Sequence, residues 1–144
     1  MIAQQLKQKQ TAKQITLPND YIPNENEPYM NEFQIEFFRN QLVESREILQ
    51  EELDNVNEEI HSSADVDVEL SDKASREIIL FSSIKRLSSI QNSINEIDDS
   101  LEVIAKKKYG FCRKTGQKIG VKRLMANPQA KFCVETQEHF EQEL

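Results

Sequence analysis

The 144-residue chain is 38% hydrophobic and 30% charged, has no Trp, and carries a net charge of −7. That size suggests one domain, or one small domain with an extension, and the low apolar share argues against a thick, many-layered core and for helices that each bury one narrow stripe. Three glycines and four prolines are too few for an all-β sandwich with its many turns, and no stretch approaches the roughly 20 apolar residues of a membrane span.

In chain order, residues 1–17 read as a polar tail, disordered or loosely docked, with no apolar core of the kind a secretory signal needs. Residues 18–29 hold Pro18, Pro23 and Pro28 among Asn and Asp, which makes them a loop. From about Asn31 to Ile60 the pattern changes. Leu42, Arg46, Leu49, Leu53, Val56 and Ile60 fall at alternating steps of four and three, a heptad seam on a helix roughly 45 Å long. The polar, acidic run His61 to Ser71 breaks that seam. It resumes through Leu80, Leu87, Ile90, Ile94, Ile97, Leu101 and Ile104, with Ile84 supporting its first half, on a second helix from about Asp72 to Lys107. Two long helices with a short link fold back as an antiparallel hairpin, with its tip near residues 62–74. All three glycines, both cysteines and Pro128 then lie between Tyr109 and Cys133, a compact turn-rich module, and Val134 to Leu144 reads as a closing helix. The expected fold is mostly α: residues 1–28 as tail and loop, 29–108 as the coiled coil, and 109–144 as a zinc-finger-like module with a C-terminal helix.

Charge is polarised along this plan. Val103 to Val134 carries nine Lys/Arg and no acid, leaving nine bases against 25 acids elsewhere, a sum of −16. The acidic bulk disfavours nonspecific binding to duplex nucleic acid. The basic run (Lys106, Lys107, Lys108, Arg113, Lys114, Lys118, Lys122, Arg123, Lys131) has few aromatics beside it. Charge runs are usually solvated faces, so docking to an acidic protein surface is favoured over reading nucleic acid.

Two local features carry chemistry. The first is an echo, Phe111-Cys112-x-x-Thr115 and Phe132-Cys133-x-x-Thr136. Paired Cys-x-x-Cys knuckles at this separation would mark a structural zinc site, but a neutral Thr hydroxyl is a poor ligand and two thiolates do not complete a zinc tetrahedron. The repeat therefore points to a knuckle pair without its metal; the blander explanation is two unrelated buried cysteines. With so few cysteines and no signal, free thiols in a reducing cytosol are expected, and Phe111, Phe132, Ile119 and Leu124 would have to supply the energy a metal otherwise provides. The second feature is the acidic tip, with Asp65, Asp67, Glu69 and Asp72 within eight residues. Asp65 and Asp67 fit a solvated linker, and Ser71 and Asp72 suit a helix N-cap and first turn. His61 and His139 lie far apart, and no phosphate loop, nucleophile elbow or metal-ligand cluster appears, so no enzyme is expected.

An acidic-tipped hairpin followed by such a cysteine module resembles the DksA/TraR family of bacterial transcription factors. Tyr29-Met30-Asn31-Glu32 is similar to that family's helix-start segment, Tyr109-Gly110-Phe111-Cys112 to the entry of its zinc module, and Gly116 to Leu124 with Ala126-Asn127-Pro128 to the module's interior. The likeness runs over residues 29–144. It implies a cytoplasmic protein that binds RNA polymerase by inserting the hairpin into the secondary channel, where the tip changes the stability of promoter complexes, including those of ribosomal-RNA type. The family's tip motif, Asp-x-x-Asp-x-Ala, corresponds to Glu69, Asp72 and Ala74, with Glu in place of the first Asp. Its four zinc-ligand positions correspond to Cys112, Thr115, Cys133 and Thr136, a pattern similar to cysteine-poor members that manage without zinc. No cofactor is therefore expected, and a retained zinc would have only Cys112 and Cys133 as thiolate ligands. Members that respond to guanosine tetraphosphate use basic residues where coil meets module. Several of those positions hold Glu96, Asn127 and Gln137 while Arg123 is kept, which predicts a weak response, because carboxylates and amides do not replace Lys or Arg as phosphate partners.

The rivals are a Gre-like transcript-cleavage factor, disfavoured because a Pro-rich loop precedes the hairpin and a cysteine module follows it; a nucleic-acid-binding module using the basic end; and a helical adaptor with no polymerase role. Neither membrane association nor sequence-specific DNA binding is expected. Because pairing within the chain satisfies both seams, a monomer is expected.

Overall fold

The structure, a computed structural model, describes residues 15–64 and 70–143. Four helices follow one another: α1 (Glu32–Ala64), α2 (Leu70–Ala105), α3 (Val121–Ala126) and α4 (Val134–Gln142). Among the described residues there is no strand, only an antiparallel bridge between Phe111 and Lys118. The protein is thus a mostly helical hairpin with a small module at its base. Residues 15–31 are non-helical and include the loop expected at 18–29; of the tail expected at 1–17, residues 1–14 lie outside the described residues.

Helix α1 starts where local chemistry starts it. The Asn31 side-chain oxygen accepts the N–H groups of Phe33 and Gln34 at 2.9 and 3.0 Å, an N-cap, and Glu32 puts a negative charge in the first turn. No Gly or Pro interrupts either long helix. At the far end of α2, Lys108 N–H bonds to Val103 O and Lys107 N–H to Ile104 O, both at 3.0 Å, while Lys107 adopts a φ of 61°. That is a Schellman closure with lysine in the left-handed position usually given to glycine.

The two helices pack antiparallel along the heptad seam. Ion pairs cross it at Arg46–Asp98 and Arg86–Glu52, each 2.6 Å. The sequence separation of these pairs shrinks toward the turn, as antiparallel pairing requires. All four groups are solvent-accessible, so they set register more than they stabilise. Leu42, Val56, Ile90, Ile94, Ile97 and Ile104 are buried, and Leu49, Leu53, Ile60, Leu80, Leu87 and Leu101 are half-buried. One expectation fails: Ile84 is exposed, and half-buried Ser83 occupies the seam in its place. Strict three-four alternation from Leu80 to Leu87 passes through 83, so a small polar residue fills the register and the isoleucine is displaced to the flank.

Both helices also run further toward the turn than the break at His61–Ser71 suggests. Ser62 to Ala64 and Leu70 to Ser71 are helical, so Ser71 is the second residue of α2 and not its cap. The break in the apolar pattern there does not end the helix, since nothing in these stretches opposes helical backbone.

The core thickens at the base. Phe38, Leu42, Ile97, Ile104, Tyr109, Ile119 and Leu124 form one buried cluster that joins hairpin to module. The N-terminal loop closes over it. Tyr29 hydroxyl donates to the Gly110 carbonyl and accepts the Gly120 N–H at 2.9 Å, pinning the loop to both ends of the Phe111–Lys118 turn. Gln34 is fully buried. Its amide accepts Met30 N–H at 2.8 Å and donates to Asn24 O at 3.0 Å and Glu27 Oε2 at 3.2 Å, so every polar atom is satisfied.

Candidate functional site: the hairpin tip and the cysteine–threonine cluster

The tip residues are distributed unevenly over what is described. Glu69 falls outside the described residues. Asp72 is the third residue of α2. Ala74 follows in the next positions and is exposed. Just beyond it, α2 presents a feature that the seam pattern does not announce. Ile78, Phe81 and Ile84 lie at three-residue spacing and are 72%, 72% and 49% exposed, with Ile79 beside them. Ile78 and Phe81 are the most exposed of these, while Ile84 borders a groove that α2 shares with Leu53 and Asn57 of α1.

At the opposite end, the four residues of the sequence echo are brought together. The first knuckle is a tight turn: Cys112 N–H bonds Gln117 O at 2.7 Å, and Gly116 N–H bonds Cys112 O at 2.9 Å with Gly116 at φ 74°. The second is the start of α4, with Cys133 as N-cap and Gln137 N–H on its carbonyl at 3.0 Å. Arg113 N–H to Lys131 O, 2.9 Å, ties the segments together. Both cysteines are free and buried. Cys112 Sγ lies 3.6 Å from Thr136 Oγ1, Cys133 Sγ 3.0 Å from the same oxygen, and Thr115 Oγ1 4.0 Å from Cys133 Sγ. Burial works against the Cys112 thiolate. Hydrogen bonds from the Thr115 hydroxyl, the Cys133 and Thr115 N–H groups and the Thr136 hydroxyl outweigh it and lower the thiol from 9.0 to about 5.

This donor set does not fit zinc. It offers two sulfurs and two neutral hydroxyls, and the hydroxyls are engaged with the sulfurs. Among the described residues no three His, Cys, Asp or Glu side chains converge on a metal position. Of the four hydrophobic residues expected to hold the module together, Ile119 and Leu124 are buried, while Phe132 is half-buried against Phe140 at 5.1 Å. Phe111 departs from that expectation: it is 40% exposed and packs edge-on to Tyr29.

Arg123, Glu96, Asn127 and Gln137, which the resemblance connects with a nucleotide response, are not drawn into one basic cluster by the contacts here. Arg123 Nε donates to Phe132 O at 3.1 Å and its carbonyl accepts Asn127 N–H at 2.8 Å, so it braces the module. Gln137 bonds along α4 to Glu141, and Glu96 is exposed. Of the basic run, Lys131 pairs with Asp99 at 3.3 Å, Lys106 with Glu102 at 3.0 Å, and Lys114 and Lys118 sit over the Phe140 and Tyr29 rings. Sequence reasoning missed Phe38, Gln34 and the Tyr29 hydroxyl; only the capping Asn31 nearby was a usable signal. No described helix is long and apolar enough to cross a membrane.

A two-helix hairpin with a paired-knuckle module at its base defines a class for which comparison with known proteins supplies the name. Residues 107–142 match the family described as prokaryotic dksA/traR C4-type zinc finger. The RNA polymerase-binding transcription factor DksA of Caulobacter vibrioides (strain NA1000 / CB15N) is 35% identical over 133 residues, covering 92% of this chain and 93% of the relative. The protein of the same name from Escherichia coli (strain K12) is 28% identical over 115 residues, 80% of this chain and 76% of the relative. The solved structure of transcription factor DksA2 from Pseudomonas aeruginosa superposes with a TM-score of 0.75 at 34% identity, covering 80% of this chain and 88% of that one. The chain belongs to the DksA/TraR family. With two cysteines in all, it retains at most two of the four that a C4 finger is named for.

Proposed function

We propose that this protein is a non-enzymatic transcription factor that binds RNA polymerase and modulates initiation. The observation that carries the reading is the likeness, over nearly the whole of both chains, to a factor named for polymerase binding. The shape suits the role. A 36-residue α2 spans about 54 Å, so the hairpin can carry its tip far from the module. In this reading the hairpin enters the secondary channel from the cytoplasmic polymerase's surface as a monomer, and the exposed Ile78–Phe81–Ile84 ridge meets the channel wall. Glu69, Asp72 and Ala74 approach the active centre. The Asp72 carboxylate perturbs polymerase groups by charge alone, without covalent chemistry, and Ala74 permits close approach. Cys112, Thr115, Cys133 and Thr136 take the places of the zinc ligands. With Glu96, Asn127 and Gln137 where phosphate partners would be needed, the response to guanosine tetraphosphate is weak; micromolar affinity of that nucleotide for the protein–polymerase complex would overturn this part.

The test compares wild type with Asp72→Asn in initiation from a ribosomal-RNA-type promoter with purified polymerase. The expected result is that wild type shortens open-complex lifetime while the variant binds equally and has no effect. Failure of both proteins to bind polymerase refutes the proposal.

A further inference from the structure

The cysteine–threonine cluster rejects zinc but remains an assembled, buried donor site. We propose that it binds one soft monovalent d10 cation of the Cu(I) class, held between Cys112 and Cys133. This inference is independent of the polymerase reading.

The geometry comes first. Thr136 Oγ1 touches both sulfurs, at 3.6 Å to Cys112 and 3.0 Å to Cys133, so the sulfurs can be no further apart than those two contacts laid end to end. Two metal–thiolate bonds in line need about 4.6 Å on the zinc–sulfur scale, which falls inside that bound. The sulfurs are buried, 3% exposed for Cys112 and 8% for Cys133, while Thr115 at the rim is exposed and gives an ion a way in.

Ligand chemistry then selects the ion. Thiolates favour soft cations, and hydroxyls contribute little to binding them. Zinc demands four good donors, whereas a monovalent d10 cation is satisfied by two thiolates. Thr115 and Thr136 need not ligate: their hydroxyls donate to the thiolates, and such outer partners orient a site. Charge agrees. Two thiols lose two protons as they bind one monovalent cation, leaving a net single negative charge and no change of oxidation state. Arg113 and Lys114 follow Cys112 within a stretch, Val103 to Val134, that carries nine Lys/Arg and no acid, a setting that tolerates one added negative charge. Binding would clamp the Cys112 turn to the start of α4, which are otherwise joined here by the Arg113–Lys131 backbone bond and weak sulfur hydrogen bonds.

The test titrates the reduced full-length protein with Cu(I), anaerobically, against a chromogenic Cu(I) chelator. The expected outcome is one Cu(I) per chain withdrawn from the chelator, a near-ultraviolet sulfur-to-copper band, and a raised Tm on loading, since a ligand of the folded state stabilises it. Zn(II) at the same excess should give no Tm rise. Cys112→Ser and Cys133→Ser should each lose the ion, while Thr136→Ala keeps it. Wild type with both thiols alkylated serves in place of any variant whose circular dichroism shows it unfolded. The proposal is overturned if the chelator keeps the metal, if one ion is shared by two chains, or if either single Ser variant binds as wild type does.

Discussion

At the base of the hairpin, α1 and α2 share a third layer: Tyr109, Ile119 and Leu124 join Phe38 and Ile104 in one cluster, and the N-terminal loop seals it through the Tyr29 hydroxyl on the module and the Met30 N–H on Gln34 of α1. Beyond Ile97, toward the turn, the same helices have only each other. There the second cluster consists of Val56, Ile90 and Ile94 with half-buried neighbours, and Ile78, Ile79 and Phe81 lie open to solvent. The contrast teaches that a two-helix seam buries only its centre, Val56, Ile90 and Ile94, and leaves its flanks partly open, whereas a side chain as large as Phe38 is fully buried here where a third element covers it. It also separates a stabilising end from an end whose apolar surface is free for a partner.

Paired substitutions test that division most directly. Phe38→Ala empties a fully buried site and should cost about 3–5 kcal/mol in denaturant unfolding; a loss under about 1 kcal/mol would mean that the base is no better packed than the stalk. Gly110→Ala should cost roughly 2 kcal/mol, because φ is 92° and a Cβ would sit 2.6 Å from Met30 Cγ. Thermal melts would read this, together with loosening of the Tyr29 clip.

A pH titration sharpens the comparison further, since all three tyrosines lie at the base. Burial, and then the Glu27 carboxylate that accepts its hydrogen bond, push the Tyr21 phenol up to about 12. Burial raises Tyr29 and Tyr109 as well. A raised folded pKa means that the proton is held more tightly in the folded state. The contribution is full below the unfolded phenol value of about 10 and is lost as pH rises through the folded values. The base should weaken from about pH 10 upward, with phenolate absorbance rising above pH 10 and following the loss of near-ultraviolet dichroism; an ordinary phenol titration with unchanged dichroism would contradict the structure. The smallest effect on folding is expected from Phe81→Ser, within about 0.5 kcal/mol, although under the proposed function it should weaken polymerase binding. Unchanged binding would remove the ridge from the interface.

Much of this was legible in the sequence because periodicity and backbone chemistry are local. The seam residues Leu42, Val56, Ile90, Ile94, Ile97 and Ile104, the absence of Gly and Pro across the long helices, and the Pro-rich loop fix a hairpin whatever surrounds it. The Phe-Cys-x-x-Thr echo pointed to two facing knuckles, which the structure brings into contact. Three things depended on tertiary structure. Ser83 took the seam position expected of Ile84: the three-four alternation admits it, but only packing against α1 shows that register outweighs the more apolar neighbour. Phe111 turned outward onto Tyr29 although its repeat partner Phe132 packs on Phe140, because equal sequence motifs meet unequal neighbours. And Gln34, a polar residue with no signal of its own, became fully buried because Asn24, Glu27 and Met30 converge on it from a loop that only the folded base holds in place.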